Sequence, residues 1–250
     1  MRALLLAAGL GTRLRPLTDT VPKCLVEING RPLIDHWIEL LGNAGISDIL
    51  INLHHLPEKV QAYVSGCTYP VNITAVMECQ LLLTAGTVLK NRAFFKQDPV
   101  MLIHADNLSL FDVHAFMDRF YTRANNIDIT MMTFHTDVPQ TCGIVELNAR
   151  GAVIAFHEKV KAPPGNLANA AVYILAPTVI DFMASLGKEV LDFSTEVLPH
   201  FMGHINTFHN SVYHRDIGNL ESLKLAQTEY PAVLARQHPG SMGHLSAQHV

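Results

Sequence analysis

Short apolar runs alternate with amphipathic segments along the first 140 residues of this 250-residue chain. The apolar runs are rich in Leu, Ile and Val and have no polar face, which is typical of strands buried on both sides of a sheet. They cover residues 3–7, 48–53, 71–77, 100–104 and 127–134, and the amphipathic segments cover 32–44, 58–65, 84–94 and 113–124. Alternation of this kind predicts an α/β fold with helices on both faces of a mostly parallel sheet.

The pattern changes after about residue 140, where turn residues at 148–151 and 163–166 separate shorter runs. These runs predict antiparallel strands in a small lobe, followed by helices at 177–186 and 220–229. We therefore predict a single domain over residues 1–235. Residues 236–250 contain Pro, Gly, Ser and three histidines with little apolar periodicity, which predicts a flexible tail.

Composition excludes several classes of protein. No apolar stretch approaches the length of roughly 18 to 20 residues that crosses a membrane, and the net charge of −4 lacks the basic excess of a nucleic-acid binder. The four cysteines are scattered without a CxxC pair, which predicts reduced thiols in a cytoplasmic protein. Residues 1–31, however, hold five Lys and Arg against two carboxylates. This local excess predicts a site for a small anionic ligand.

The first apolar run leads directly into a glycine-containing loop, Ala8-Gly9-Leu10-Gly11-Thr12-Arg13. Glycine lets backbone amides approach a phosphate closely, and successive N–H groups form an anion-binding concavity. The loop matches neither a dinucleotide fingerprint, since Leu14 stands where the third glycine belongs, nor a Walker A loop, since Gly-Lys-Ser/Thr is missing. Taken alone, the two glycines are equally compatible with a tight turn at the end of a strand.

The longer run around this loop resembles the opening of the sugar-1-phosphate nucleotidyltransferases. It comprises Leu6-Ala7-Ala8-Gly9-x-Gly11-Thr12-Arg13-x-x-Pro16-Leu17-Thr18, then Pro22-Lys23 and Gly30-x-Pro32-Leu33-Ile34. Further motifs follow in the order that the family has them: Thr84-Ala85-Gly86, His104-Ala105-Asp106, Cys142-Gly143-Ile144-Val145, Glu158-Lys159, Asn169-Ala170 and Asp216-Ile217-Gly218. The resemblance extends to about residue 227. It implies a Rossmann-like three-layer nucleotidyltransferase fold, with a nucleotide-binding part at about 1–140 and a sugar-phosphate-binding part at about 141–235 that includes an antiparallel acceptor-binding lobe.

The reaction implied by this resemblance is attack of a sugar 1-phosphate on the α-phosphorus of a nucleoside triphosphate, which gives a nucleotide sugar and pyrophosphate. Both reactants are polyanions, so the site must supply cations. The resemblance assigns catalytic roles to Arg13, Lys23 and Asp106, with Arg13 on the β- and γ-phosphates and Lys23 on the α-phosphate or the incoming phosphate. It also assigns Mg²⁺ to Asp106 and Asp216, since Mg²⁺ prefers oxygen ligands. Asp216 is alternatively a helix cap near Asn219.

The same resemblance implies two sets of binding residues. The nucleotide set is Leu6, Ala7, Ala8, Gly9, Gly11, Thr12, Arg13, Lys23, Glu78, Thr84, Ala85 and Gly86, with Gln80 as an alternative to Glu78. The sugar-phosphate set is Gly143, Glu158, Lys159 and Asn169. We expect a flat base to pack on the backbone at Gly86. Glu158 and Lys159 should project in opposite directions if their strand continues, and an ordinary hairpin ion pair is the alternative.

Three positions depart from the family's pattern: Leu83 and Ala171 stand where glycine is usual, and Val160 stands where proline is usual. They leave the substrate open. Motif spacing and length most resemble guanylyltransferases for mannose 1-phosphate or manno-heptose 1-phosphate, which favours GTP. The alternatives are uridylyl transfer to an amino-sugar or N-acetylmuramate 1-phosphate, cytidylyl transfer to phosphocholine, and a non-catalytic regulatory subunit that binds nucleotide sugars. A glycosyltransferase is disfavoured because Asp106 lacks an Asp-x-Asp motif. A homodimer is compatible with the sequence.

Overall fold

The computed structural model describes residues 1–237. Within them the elements are, in chain order, β1 (Arg2–Leu6), β2 (Glu27–Ile28), β3 (Arg31–Pro32), α1 (Leu33–Asn43), β4 (Asp48–Leu53), α2 (Pro57–Ser65), β5 (Asn72–Met77), α3 (Leu83–Lys90), α4 (Arg92–Phe95), β6 (Val100–His104), β7 (Asn107–Leu110), α5 (Val113–Tyr121), β8 (Ile129–His135), β9 (Gly143–Leu147), β10 (Val153–Glu158), β11 (Leu167–Leu175), α6 (Pro177–Ser185), β12 (Ile205–His209), β13 (Tyr213–Asp216) and α7 (Leu220–Gln237).

The centre of the large sheet is parallel. Strand β1 lies between β4 and β6, with Leu5 opposite both Ile51 and Ile103, and β5 extends the sheet beyond β4. All four strands run in the same direction, so their carboxyl ends meet at one edge of the sheet, where ligands bind in open α/β folds. The glycine-containing loop leaves β1 at this edge, and Asp106 follows β6 there.

Helices cover both faces of this sheet. Side chains of β1 alternate between the faces: Leu5 packs in a cluster with Trp37 of α1 and Phe116 of α5, whereas Leu4 packs in a second cluster with Val88 of α3. All five side chains are at most 1% exposed. The expected three-layer arrangement is therefore confirmed, and burial on both faces explains why these strands lack a polar side.

The second half of the chain adds the expected antiparallel strands. Strand β11 runs antiparallel to β6, β8 runs antiparallel to β11, and β9 and β10 form a hairpin beside β11. Strand β12 differs from the others because it pairs parallel to β8. Strands β7 and β13 form a separate antiparallel pair, which places Asp216 directly opposite Asn107.

The last helix differs from the prediction in its length and in what it covers. It extends to Gln237 rather than ending near residue 229. Its residues Ala226 and Tyr230 pack on Ile28, Leu108 and Ile217 in a small cluster apart from the large sheet. The predicted tail therefore begins inside this helix, and residues 238–250 lie outside the described part of the chain. Among residues 1–237, no helix combines the length and apolar content needed to cross a membrane.

A buried carboxylate joins β3, α1 and the segment after α2. Asp35 is 6% exposed and accepts hydrogen bonds from Arg31 Nε at 2.8 Å, Tyr63 OH at 2.8 Å and Tyr69 OH at 2.9 Å. Burial opposes its charge, but the hydrogen bonds from Tyr63, Arg31 and Tyr69 outweigh it and lower the pKa of Asp35 below its ordinary value. This carboxylate thus fixes the entry to α1 through three donors.

We expect Asp35→Asn to lower the free energy of unfolding by about 2 kcal/mol at neutral pH, because three donors lose a charged acceptor. A carboxyl group with a lowered folded pKa stabilises the fold above its unfolded pKa of about 3.9, and this contribution is lost as the pH falls through the folded value. Urea unfolding should therefore show the difference between variant and wild type shrinking as the pH falls below about 3.9. Asp118→Asn, on the exposed face of α5, is the control and should change stability by less than about 0.5 kcal/mol. An equally small loss in Asp35→Asn would contradict this account.

Candidate active site

Two adjoining cavities lie at the carboxyl edge of the parallel strands. The smaller, of about 200 Å³, is bounded by the end of β1, by β4 and by the segment from Glu78 to Thr87. The larger, of about 570 Å³, is bounded by residues after β6, by β9 to β11 and by the segment from Asp192 to Thr195. Leu83, Thr84, His104 and Asp106 line both cavities. These four residues mark the boundary at which two bound molecules would meet.

A buried lysine stands beside two carboxylates at this boundary. Lys23 is 6% exposed, and its Nζ donates to Asp106 Oδ2 at 2.6 Å and lies 3.8 Å from Asp216 Oδ1. The short turn that begins at Lys23 follows Pro22, after the glycine-containing loop. A charged ammonium is buried only where it is paired. The structure thus brings together three of the residues predicted to act on phosphates and metal.

The two carboxylates respond differently to this arrangement. Burial opposes the charge of Asp106, but attraction by Lys23 outweighs it, so the pKa of Asp106 lies below its ordinary value. Burial and then repulsion by Asp106 raise the pKa of Asp216, although Lys23 and Arg13 oppose the rise. Two carboxylates therefore share one close ammonium, and a further cation would stabilise the charge on Asp216.

The donor set fits a magnesium ion. Asp106 and Asp216 supply carboxylate oxygens next to the larger cavity, and Mg²⁺ usually takes one or two carboxylates and completes its shell with water and substrate phosphates. Within residues 1–237, no cluster of three or more His, Cys, Asp or Glu side chains has the geometry of a metal site. A metal here would thus depend on ligands from outside the protein, as a substrate-bound Mg²⁺ does.

Asp216 does not act as a helix cap. The Oδ1 atom of Asn219 accepts a hydrogen bond from Ser222 N at 2.8 Å at the start of α7. Asn219 therefore fills the role that was the alternative for Asp216, and the Asp216 carboxylate lines the larger cavity.

The glycine-containing loop carries Arg13 to the far side of the same cluster. Gly11 has a φ of +62°, and a Cβ there would lie 2.8 Å from Thr18 Cγ2, so only glycine fits. Ala8 and Gly9 line the smaller cavity, whereas Gly11 and Thr12 lie outside both cavities. The Arg13 guanidinium lies against Gly218, beside Asp216, and lines the larger cavity. The loop thus spans from the end of β1 to the end of β13.

A second buried carboxylate lies at the opposite end of the smaller cavity. Glu78 is 5% exposed, and its Oε1 accepts from Thr87 Oγ1 at 2.6 Å and from Asn52 Nδ2 at 3.2 Å. Asn52 is itself held, because its Oδ1 accepts from Ala7 N at 2.8 Å. The Glu78 Oε2 has one long contact, at 3.5 Å from Leu82 N. One carboxylate oxygen of Glu78 is therefore occupied by hydrogen bonds from the protein, while the other can still accept a hydrogen bond from a ligand.

Sequence reasoning did not identify Asn52 and Thr87, although both line this cavity. The one feature of the sequence that could have indicated this role is the amide side chain of Asn52 inside the largely apolar run 48–53. A buried amide needs hydrogen-bond partners, and these came from chain segments that only the fold brings together.

The structure corrects the expectation for Ala85 and Gly86. Both are buried in α3, and their N–H groups donate to Leu191 O at 3.0 and 3.1 Å. A Cβ on Gly86 would lie 2.3 Å from Glu189 O. Gly86 is therefore small because the segment after α6 packs on it, and neither residue lines a cavity where a base could lie. Of this motif, Thr84 alone lines both cavities.

All four residues of the predicted sugar-phosphate set line the larger cavity: Gly143, Glu158, Lys159 and Asn169. The strand ends at Glu158, and Lys159 has a φ of +49°, so the chain turns there. As a result, Lys159 Nζ lies 3.2 Å from Glu158 Oε1. The two side chains are thus neighbours, rather than opposed as a continuing strand would make them, and the alternative hairpin ion pair is present within the cavity wall.

A buried tyrosine fixes the orientation of Asn169. The Asn169 Nδ2 donates to Tyr173 OH at 2.5 Å, and its Oδ1 accepts from Ala171 N at 3.0 Å. One amide hydrogen remains for a ligand. Sequence reasoning missed Tyr173 and also Asp192, Ser194 and Thr195, which line the same cavity. They lie in apolar or irregular stretches that carry no motif.

Comparison with known proteins gives a family match over nearly the whole described chain. Residues 2–232 match the nucleotidyl transferase family. The chain is 31% identical over 247 residues to mannose-1-phosphate guanyltransferase 2 of Candida glabrata, an alignment that covers 96% of this chain and 67% of that protein. It is 35% identical over 206 residues to mannose-1-phosphate guanyltransferase of Saccharomyces cerevisiae, covering 78% and 56%. The chain thus spans between about half and two thirds of the length of these relatives.

Solved structures share the fold. The structure of HddC from Yersinia pseudotuberculosis, complexed with GMP-PN, superposes with a TM-score of 0.77 at 22% identity, covering 92% of this chain and 99% of that one. UDP-glucose pyrophosphorylase from Acinetobacter baumannii also gives a TM-score of 0.77, at 18% identity over 94% of this chain. At such identities the similarity concerns the fold.

Proposed function

Because the chain belongs to the nucleotidyl transferase family, we propose that it transfers the guanylyl group of GTP to a sugar 1-phosphate of the mannose or manno-heptose type. The products are a GDP-sugar and pyrophosphate. The observation that carries this proposal is the Lys23, Asp106 and Asp216 cluster at the boundary between the two cavities. It places a cation and two oxygen ligands where two phosphate-bearing molecules would meet.

The proposed step is an in-line displacement. A phosphate oxygen of the acceptor attacks the α-phosphorus of GTP, and the bond to the β-phosphate oxygen breaks and releases pyrophosphate. Lys23 donates to the α-phosphate or to the incoming phosphate, and Arg13 binds the β- and γ-phosphates that leave. Both groups neutralise charge and align the reactants, so no covalent intermediate with the protein is required.

Asp106 and Asp216 are the residues that would hold Mg²⁺. An ion bound by these two carboxylates would neutralise negative charge on the phosphates during the transfer. Burial and then repulsion by Asp106 raise the pKa of Asp216, and a bound cation would relieve that repulsion, which supports this assignment.

Glu78 supports guanine as the base. Guanine presents two adjacent groups of donors, N1–H and the N2 amino group, whereas a carboxylate is an acceptor only. Uracil presents a single N–H between two carbonyl acceptors, and adenine and cytosine each pair an amino group with a ring acceptor. The free capacity of Glu78 Oε2 therefore suits guanine better than the other three bases.

The two cavities support the proposed division of the chain. Residues that line the smaller cavity all lie between Leu6 and Asp106, in the part assigned to the nucleotide. In the larger cavity, Lys159 is the proposed contact of the sugar phosphate, and Glu158, Asn169 and the backbone at Gly143 are the proposed contacts of the sugar. Uridylyl and cytidylyl transfer remain the alternative reactions, and a non-catalytic binding subunit remains the alternative class. A cytoplasmic location and a homodimer stay predictions.

Pyrophosphate release tests the proposed reaction. Purified protein with Mg²⁺ should be assayed with each of four nucleoside triphosphates and with hexose, heptose, amino-sugar and choline phosphates. We expect turnover with GTP and with mannose or manno-heptose 1-phosphate, and a loss of at least about 10³-fold in Asp106→Asn. The variant should be assayed below its own melting temperature, which should fall because the buried Lys23 loses its carboxylate partner. Asp118→Asn is the matched control. The absence of turnover with every pair would overturn the catalytic proposal.

Glu78→Gln tests the choice of base. The glutamine amide keeps one acceptor oxygen but replaces the other with an NH₂ donor. This donor would face the N–H donors of guanine and could not bond to them. The ratio of kcat/KM for GTP to that for UTP should therefore fall by at least about tenfold. Gln80→Ala distinguishes the two candidate side chains, because Gln80 is exposed and lies outside the smaller cavity. It should leave the ratio unchanged. An unchanged ratio in Glu78→Gln, or a changed ratio in Gln80→Ala, would remove Glu78 from this role.

A further inference from the structure

Three residues that line the larger cavity have a strained backbone conformation. Among residues 1–237, seven residues other than glycine have a left-handed backbone: Asn29, Leu56, Leu83, Lys96, Gln97, Lys159 and Ala171. Leu83, Lys159 and Ala171 all line this cavity. A side chain makes the left-handed region unfavourable, and residues held there cluster at functional sites. Leu83 and Ala171 have no role in the proposed chemistry, so their side chains require another explanation.

Hydrogen bonds on both sides hold Leu83 in this conformation. Leu82 O accepts from Leu191 N at 3.1 Å, and Ala85 N and Gly86 N donate to Leu191 O at 3.0 and 3.1 Å. The chain must therefore turn at Leu83, which has a φ of +62°. Glycine would take this conformation without strain.

The Leu83 side chain contributes little to the core. It is 47% exposed and lines both cavities at their shared boundary. Core leucines of this protein are buried, as Leu82 is at 8%. A large apolar group at the boundary occupies space that an acceptor would otherwise enter when it approaches the nucleotide.

Ala171 narrows the same cavity from β11. The register of β11 against β8 shifts between Asn169 and Tyr173, and Ala171 lies in this irregularity with a φ of +53°. Its N–H donates to Asn169 Oδ1. Ala171 therefore lines the larger cavity close to Asn169, the residue proposed to contact the sugar, and it also packs against the core cluster that contains Leu4.

We propose that Leu83 and Ala171 set the upper size limit of the acceptor, so that the enzyme takes sugar 1-phosphates of the mannose or manno-heptose type and excludes those enlarged by an acetamido group. This inference rests on the proposed function. A single methylene group changes discrimination in a pocket by about 10- to 200-fold, so two side chains at one cavity suffice for exclusion. Each stands where glycine would be unstrained, and each lines the larger cavity, so each can act through the shape of that cavity.

The test compares Leu83→Gly, Ala171→Gly and the double variant with wild type. Pyrophosphate release is measured with GTP and with mannose 1-phosphate and N-acetylglucosamine 1-phosphate. The wild type should prefer mannose 1-phosphate, and the ratio of kcat/KM for N-acetylglucosamine 1-phosphate to that for mannose 1-phosphate should rise at least about tenfold in the double variant. Melting temperatures should stay within about 4 °C, because glycine adopts the left-handed backbone.

Gln97→Gly is the matched control. Gln97 is exposed, has a φ of +61° and lies outside both cavities, so its replacement makes the same backbone change without altering the acceptor ratio. If the double variant turns over with unchanged acceptor ratios of kcat/KM, the inference is overturned. It is also overturned if the only change in the double variant is a raised KM for GTP, because Leu83 would then act on the nucleoside. If the wild type shows no turnover with any acceptor, the proposed function itself is overturned.

Discussion

The ion pair between Lys23 and Asp106 is the interaction on which the arrangement of the site depends. It joins the turn that follows the glycine-containing loop to the end of β6, 83 residues further along the chain. A buried ammonium requires a carboxylate partner, and Asp216 lies close to both Lys23 and the Arg13 guanidinium. The fold thus holds two carboxylates and two cations where the two cavities adjoin. Phosphates accompanied by a divalent cation would suit this arrangement of charges.

In both cavities, hydrogen bonds within the protein hold the side chains that would contact a ligand. In the smaller cavity, proposed for the nucleoside, Asn52 and Thr87 occupy one oxygen of Glu78 and leave the other available. In the larger cavity, proposed for the acceptor, Tyr173 and the Ala171 amide orient Asn169 so that one N–H remains. Side chains fixed before binding lose little conformational freedom when a ligand arrives, which favours selective recognition.

The sequence allowed the strands and most of the charged residues to be predicted, but not the directions of side chains. Strands β4 and β6 coincide with the predicted runs 48–53 and 100–104, because burial on both faces leaves an unambiguous apolar pattern. Lys159 and Leu83 were harder to place, since their positive φ values arise from distant contacts and neither residue type favours them. Likewise, the packing of Glu189 on Gly86 joins segments that only the tertiary fold brings together. Motif order therefore located the site, whereas long-range contacts determined which atoms face it.

The most direct test of the central claim is to measure both turnover and stability of Lys23→Met, which keeps the length of the side chain and removes its charge. If Lys23 serves the phosphates, turnover should fall by at least about 10³-fold while the melting temperature in the presence of Mg²⁺ changes by less than about 5 °C. Turnover close to wild type together with a large loss of melting temperature would contradict the account, because Lys23 would then be a structural cation and the cluster would have no part in the reaction.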